Sequence, residues 1–276
     1  MILYRTAGGW ILKIDKESFR LPDRTDGPLT TIEDLEAHLT DVVNSGARPA
    51  GGWTFDQLLP PIENQEVWAA GVTYSRSRTA RMEESHASGG GDFYDLVYTA
   101  ERPELFFKAV PRRVVGSGQK VRIRADAKWN VPEPEFTLLI SPKGKILGYT
   151  LGNDMSSRDI EGQNPLYLPQ AKVYDGSCAI GPGILVTSQP LSPSTRIQIE
   201  IRRDGKVEFA GATALSEMKR DFRTLVDYLY RETSFPDGCL LMTGTGIVPP
   251  DAFTLHHGDE ILITVEGIGI LQNKVE

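Results

Sequence analysis

Glycine and proline cut the chain from Val67 onward into short β-rich runs, and this punctuation restricts the available folds more than any other feature. The runs cover residues 104–110, 120–124, 136–140, 146–151, 183–187, 196–202 and 260–265. Strands this short and frequent predict a mainly β domain. One helix is expected at 218–232, where Phe222, Leu225, Val226 and Leu229 recur at three- and four-residue intervals. The first 64 residues read differently. Residues 10–12 are strand-like, and 31–44 carry Leu35, Leu39, Val42 and Val43 at helical spacing, with Thr30 or Thr31 as the expected cap. Glycines and prolines then crowd 44–53 and 58–62, as in a linker. The expected organisation is α+β, mainly β: a small α+β domain over 1–64 and a larger domain over 65–276.

Hydrophobic residues make up 40% of the 276, enough for a sizeable core. No apolar run approaches the roughly 18 residues of a membrane-spanning helix, and the first residues lack the pattern of a signal peptide. Cytoplasmic placement is the expectation. A net charge of -7 provides no basic field for a nucleic acid or an anionic membrane. The two cysteines, Cys178 and Cys239, offer neither a disulfide framework nor a zinc site, and read as small buried hydrophobes.

Chemistry concentrates around Glu133-Pro134-Glu135, which leads into the run at 136–140. A Pro-Lys-Gly turn and a second run ending near Asp154 follow, so the segment reads as a hairpin. Residues two apart on a strand share a face, about 6.6 Å apart along it, so Glu133 and Glu135 point the same way. A pairing centred between Lys143 and Gly144 sets Asp154 opposite Glu133, on that same face. Three converging carboxylates repel one another, and a hard divalent cation relieves the repulsion, with magnesium the natural choice and manganese the alternative. A one-residue slip would send Asp154 to the other face, and three unrelated surface carboxylates are the plainer alternative.

Other site signatures are missing from the sequence: there is no His-Glu-x-x-His, no P-loop and no Gly-x-Ser-x-Gly, and Gly244 to Gly246 does not complete a dinucleotide fingerprint. Residues 74–84 are dense in charge, with Arg76, Arg78, Arg81, Glu83 and Glu84, and precede three consecutive glycines, Gly89 to Gly91. A cationic lid over a site and an exposed helix with a loose loop are both compatible with this composition.

Glu133-Pro134-Glu135 followed by Asn153-Asp-Met-Ser-Ser-Arg158-Asp159 resembles the fumarylacetoacetate hydrolase superfamily over about residues 67–271. The resemblance implies a β-roll catalytic domain, a small amino-terminal domain, a homodimer or homotetramer, and a magnesium ion held by Glu133, Glu135 and Asp154. Within the superfamily the chain looks most like the 2-keto-3-deoxy sugar acid dehydratases, through Gly71-Val-Thr-Tyr74, Arg102 to Lys108, Asn164 to Asp175 and Thr243 to Pro249. That branch implies a small 2-keto acid as substrate and 2,5-dioxopentanoate as product. Hydrolytic members activate water with a histidine and a glutamate, a pair that Glu83-Glu84-Ser85-His86 does not reproduce. An acylpyruvate or fumarylpyruvate hydrolase is therefore the second reading, and a relative that binds a sugar acid without converting it the third.

The resemblance also suggests roles. Lys172 is the expected cation at the substrate, stabilising an enolate or protonating the leaving hydroxyl. Glu104 is the expected base, with Lys108 on its face of the strand for substrate binding; a structural salt bridge between the two is the alternative. Thr245, in a glycine-flanked turn, is expected to bind the substrate carboxylate. Arg76 and Arg78 are expected to seal an anionic substrate, although residues two apart cannot share a helix face. Asp175 and Asp159 are assigned to orienting Lys172 or Arg158.

Overall fold

The computed structural model describes residues 1–77, 79, 82 and 91–276, with backbone alone for 91–94. The main strands are β1 (Ile2–Thr6), β2 (Gly9–Ile14), β3 (Glu17–Arg20), β4 (Glu66–Gly71), β5 (Glu104–Ala109), β6 (Pro134–Ile140), β7 (Ile146–Asp154), β8 (Cys178–Val186), β9 (Arg196–Arg203), β10 (Lys206–Ala214), β11 (Cys239–Met242), β12 (Glu260–Val265) and β13 (Gly269–Val275). The main α-helices among the described residues are α1 (Leu35–Asn44), α2 (Gly91–Thr99), α3 (Arg158–Gln163), α4 (Leu168–Lys172) and α5 (Phe222–Leu229).

A twelve-stranded sheet runs in the order β3-β2-β1-β8-β7-β6-β11-β4-β5, with two-residue strands completing it. Most neighbours are antiparallel, but β11 and β4 run parallel. A five-stranded sheet holds β10-β9-β12-β13, with Lys120–Val121 at its edge. Alternate residues of β6 and β7 serve two cores, which is why every residue of β6 is buried. Phe136, Leu138, Ile140, Tyr149 and Leu151 cluster with Ile197, Ile199, Ile261 and Ile263 of the second sheet and Leu225, Val226 and Leu229 of α5. Leu139, Leu147, Leu240 and Met242 cluster with Leu35 and Leu39 of α1. The amino-terminal strands extend the large sheet through the pairing of Ile2 with Leu185 and Leu3 with Ile184.

The structure corrects several local expectations. Helix α1 begins four residues later than its expected start at Thr31, capped by Asp34, whose side chain accepts from the Ala37 amide. Neither threonine is available for that cap, because the Thr30 hydroxyl donates to the Asp237 carbonyl and the Thr31 hydroxyl to the Pro28 carbonyl. The expected strand at 120–124 is only Lys120–Val121. The chain then turns away, the Arg122 amide donating to the Gly176 carbonyl and Arg124 pairing with Asp126. Strands β1, β3, β4, β10, β11 and β13 lie outside the expected runs. β10 is a weak pattern of small residues on an exposed edge, whereas β13 alternates buried and exposed in full.

No helix among the described residues is long and apolar enough to cross a membrane.

Candidate metal centre and active site

The hairpin of β6 and β7 places the acidic residues. Pro134 faces Asn153 and Glu135 faces Gly152, and the Asp154 amide donates to the Glu133 carbonyl at 3.0 Å, so Glu133 and Asp154 are opposed as expected. The turn itself differs. The Gly144 amide donates to the Ser141 carbonyl and Gly144 has φ +76°, while the Ser141 amide donates to Lys145, which centres the turn on Lys143. Ile140 then pairs with Ile146 and Leu139 with Gly148, leaving Leu147 as the extra residue of a bulge. The bulge restores the register that brings Asp154 to the face of Glu133 and Glu135. Beyond the prolines, Asn130 and Val131 pair with Ser157 and Ser156 and hold the two chains together past the site.

Glu133, Glu135 and Asp154 are 4%, 2% and 1% exposed, and one ligand oxygen from each lies within 4.8 Å of the others. Among the described residues, three buried cations face them. The Lys172 ammonium donates to Glu133, to Asp154 at 3.0 Å and to the Ser156 hydroxyl at 2.6 Å. Lys108 forms an ion pair with the other Asp154 oxygen and donates to the Met155 and Lys172 carbonyls, tying the ligand to the backbone that carries Lys172. Arg158 donates to Glu133 at 2.7 Å. Glu135 has none of these three ion pairs; its carboxylate accepts from the Gly244 amide at 2.6 Å. Burial, followed by the charges of Asp154 and Glu133, holds the Glu135 carboxyl well above the usual glutamate range, while Lys172 and the Gly244 amide partly offset this.

This donor set fits a hard divalent cation. Three carboxylate oxygens converge, with no histidine or cysteine in the cluster among the described residues, and the raised proton affinity of Glu135 marks where added positive charge would be stabilised. Magnesium or manganese suits such oxygen ligands.

A small cavity adjoins the cluster, lined by Glu104, Phe106, Lys172 and Thr245 among others. Glu104 on β5 pairs with Gly71 on β4, and a Cβ at Gly71 would lie 2.1 Å from a Glu104 carboxylate oxygen, so a side chain there would displace the Glu104 carboxylate. The next residue, Val72, also lines the cavity and takes φ +53°, strained backbone for a β-branched residue. The Thr73 hydroxyl locks this turn to the Thr243 carbonyl at 2.7 Å. Thr245 is buried in the cavity wall, its hydroxyl accepting from the Ile247 amide.

The structure thus gathers Glu133, Glu135, Asp154, Lys172, Lys108, Glu104 and Thr245. Lys108 is engaged with the ligand set and the backbone beneath it rather than with Glu104. Asp175 is not brought to Lys172; it is exposed and pairs with Arg113 at 3.3 Å. Asp159 accepts from the Lys128 amide. Arg76 is exposed. Arg78 and His86 lie outside the described residues, as do Glu83 and Glu84. His257 contacts the terminal Glu276 carbonyl, and His38 is exposed on α1.

Four contributors escaped the sequence reading. Ser156, inside the quoted motif, orients Lys172; the Phe106 ring lies 5.8 Å from the Lys172 nitrogen; the Gly244 amide holds Glu135; and Glu161 lines the cavity. Only Glu161 had a readable signal, one helical turn beyond Arg158.

The C-terminal domain of fumarylacetoacetate (FAA) hydrolases matches residues 78–276. A probable 2-keto-3-deoxyxylonate dehydratase of Haloferax volcanii is 45% identical over 89% of this chain and 83% of its own length. The 2-dehydro-3-deoxy-D-arabinonate dehydratase of Saccharolobus solfataricus is 42% identical over 80% of this chain and 74% of its own. Among solved structures, 2-keto-3-deoxy-D-arabinonate dehydratase complexed with magnesium and 2,5-dioxopentanoate superposes with a TM-score of 0.83 at 34% identity, covering 100% of this chain and 99% of that one.

Calorimetric titration with magnesium is expected to show one saturable site, lost in Glu135→Ala. Because the Glu135 carboxyl takes up its proton well above the usual glutamate range, affinity should already decline as pH falls toward that range from above. Saturable binding that persists in Glu135→Ala would contradict this assignment.

Proposed function

The chain belongs to the fumarylacetoacetate hydrolase family, and from that premise we propose that it is a magnesium-dependent dehydratase converting a 2-keto-3-deoxy pentonate to 2,5-dioxopentanoate. The observation that carries the reading is the buried Glu133, Glu135 and Asp154 cluster with Lys172 against it, in a chain 34% identical to a dehydratase that holds magnesium and that product.

Glu133, Glu135 and Asp154 would hold the ion, which when bound supplies Lewis acidity toward the keto oxygen of a 2-keto acid. The chain's own groups account for the proton movements. Loss of water removes a proton from C3 and hydroxide from C4; moving a proton from C5 back to C3 then leaves a C4=C5 enol, which becomes the aldehyde of 2,5-dioxopentanoate by gaining a proton at C4 and losing the hydroxyl proton. Glu104, half-buried in the cavity wall, is positioned to take the C3 proton as a carboxylate base. Lys172 presents a buried ammonium whose orientation is fixed by Ser156, Glu133 and Asp154, and donates toward the developing enolate oxygen or the leaving hydroxyl. Thr245 and the adjoining turn offer hydrogen-bonding groups to the substrate. Lys108 and Arg158 hold the ligand carboxylates in place, and Asp175, exposed on Arg113, takes no part. The exposed Arg76, and Arg78 two residues on, would pair with an anionic group of the substrate.

The hydrolase alternative requires a water-activating histidine and glutamate; the described histidines are away from the cluster. The reading extends to a cytoplasmic homodimer or homotetramer. The exposed Leu166 and Tyr167, beside the site helices, provide apolar surface that a second copy would cover. Light scattering should give a mass of two or four chains, and a monomer would contradict this.

Turnover of 2-keto-3-deoxy pentonates should yield semialdehyde with magnesium and none with EDTA. Lys172→Met should lower kcat by about 10²–10⁴. Acylpyruvate cleavage in place of dehydration would overturn the reading, and near-normal rates in Lys172→Met would remove Lys172 from the chemistry.

A further inference from the structure

Lys172 and a divalent ion call on the same oxygens. Each carboxylate oxygen of Glu133 and Asp154 faces a cation: Arg158 and Lys172 on the two of Glu133, Lys108 and Lys172 on the two of Asp154. An ion held by this cluster therefore takes oxygens that a side-chain cation already engages. The three cations differ in what else holds them. Lys108 is fastened to the Met155 and Lys172 carbonyls, whereas Lys172 bridges two of the three ligand candidates and, of the three cations, is the one that lines the cavity. An ammonium has three N–H groups. Those of Lys172 go to Glu133, to Asp154 at 3.0 Å and to the Ser156 hydroxyl at 2.6 Å. The Ser156 hydroxyl gives its own proton to the Asp154 carbonyl at 3.0 Å, so toward Lys172 it is an acceptor. A group committed in this way has no N–H for a substrate until a carboxylate releases it.

We propose that Lys172 couples metal binding to substrate binding: the ion displaces its ammonium from Glu133 and Asp154, and the N–H groups so released turn to the keto acid in the cavity. The inference rests on the dehydratase reading for the identity of the substrate and goes beyond it by making Lys172 a competitor of the metal. Like charges repel, and more strongly out of water, so the ammonium weakens the ion's hold on the two carboxylates they share. Ser156 keeps its bond to Lys172 through the exchange and retains the ammonium beside the site. The Phe106 ring, which lines the cavity 5.8 Å from the Lys172 nitrogen, presents its face to the charge as the carboxylates are taken. A keto acid then meets available donors only after the ion has entered.

Calorimetry on the full chain tests this by titrating magnesium into the unmodified protein, Lys172→Met and Lys108→Met, and then pyruvate into each at saturating magnesium. Lys172→Met should bind magnesium about tenfold more tightly or better, and pyruvate about tenfold more weakly. Lys108→Met, which frees Asp154 from its tie to the backbone, should bind magnesium no more tightly than the unmodified protein. Opposite movement of the two affinities in one variant separates coupling from a damaged fold, which would weaken both. Magnesium affinity unchanged or reduced in Lys172→Met would overturn the proposal, and so would unchanged pyruvate affinity. An equal gain for magnesium in Lys108→Met would also overturn it, because total charge rather than Lys172 would then set the affinity. If Lys172→Met does not fold, Lys172→Gln, which keeps two N–H donors without the charge, is titrated with magnesium, and the absence of a gain there overturns the proposal. Neither titration involves turnover. A protein that shows these affinities but converts no sugar acid would support the coupling and overturn the dehydratase reading alone.

Discussion

Everything at this site depends on the mutual repulsion of three carboxylates brought together out of water. Glu133, Glu135 and Asp154 are almost wholly buried, and burial of an uncompensated charge is costly. The protein answers with three buried cations, Lys108, Lys172 and Arg158, each bonded to at least one of the acids. Removing one partner from such a buried pair costs about 3–5 kcal/mol, because the other is left unpaired. The compensation is nevertheless uneven. Glu135 receives a backbone amide and no ion pair from these cations, and its carboxyl is displaced upward accordingly. A divalent ion satisfies that remaining demand, so the residues that destabilise the metal-free site are the ones that make it a metal centre.

Strand geometry makes the convergence possible. The two-residue period puts Glu133 and Glu135 on one face, while the Leu147 bulge brings Asp154 to them. Around this hairpin the backbone is tight: Gly71 admits the Glu104 carboxylate where a side chain would collide, Val72 is held at positive φ, and Thr73 is bonded to the backbone of Thr243. Strain next to the ligand cluster is sustained by the surrounding buried strands, as expected where geometry serves chemistry.

Local periodicity made the β-rich character, the α5 helix and the metal-ligand face legible in the sequence. The register at Asp154 was reached through a turn centred half a residue off, an error that the bulge cancelled and that no local signal announced. Lys172 was legible through its motif, but its partners were not, since Ser156, Lys108 and Glu133 come from separate elements. Asp175 shows the converse: proximity to Lys172 in sequence did not bring the side chains together, because Asp175 points to Arg113 at the surface. Glu161 carries a helical-spacing signal, one turn beyond Arg158, but a lone glutamate in a short helix is indistinguishable from a solvated charge until the fold buries it.

If the three carboxylates of the β6–β7 hairpin hold the ion on which activity depends, anomalous diffraction from manganese-loaded crystals will show a peak bounded by the carboxylates of Glu133, Glu135 and Asp154. A peak elsewhere, or none in crystals of protein that turns over with manganese, would contradict it.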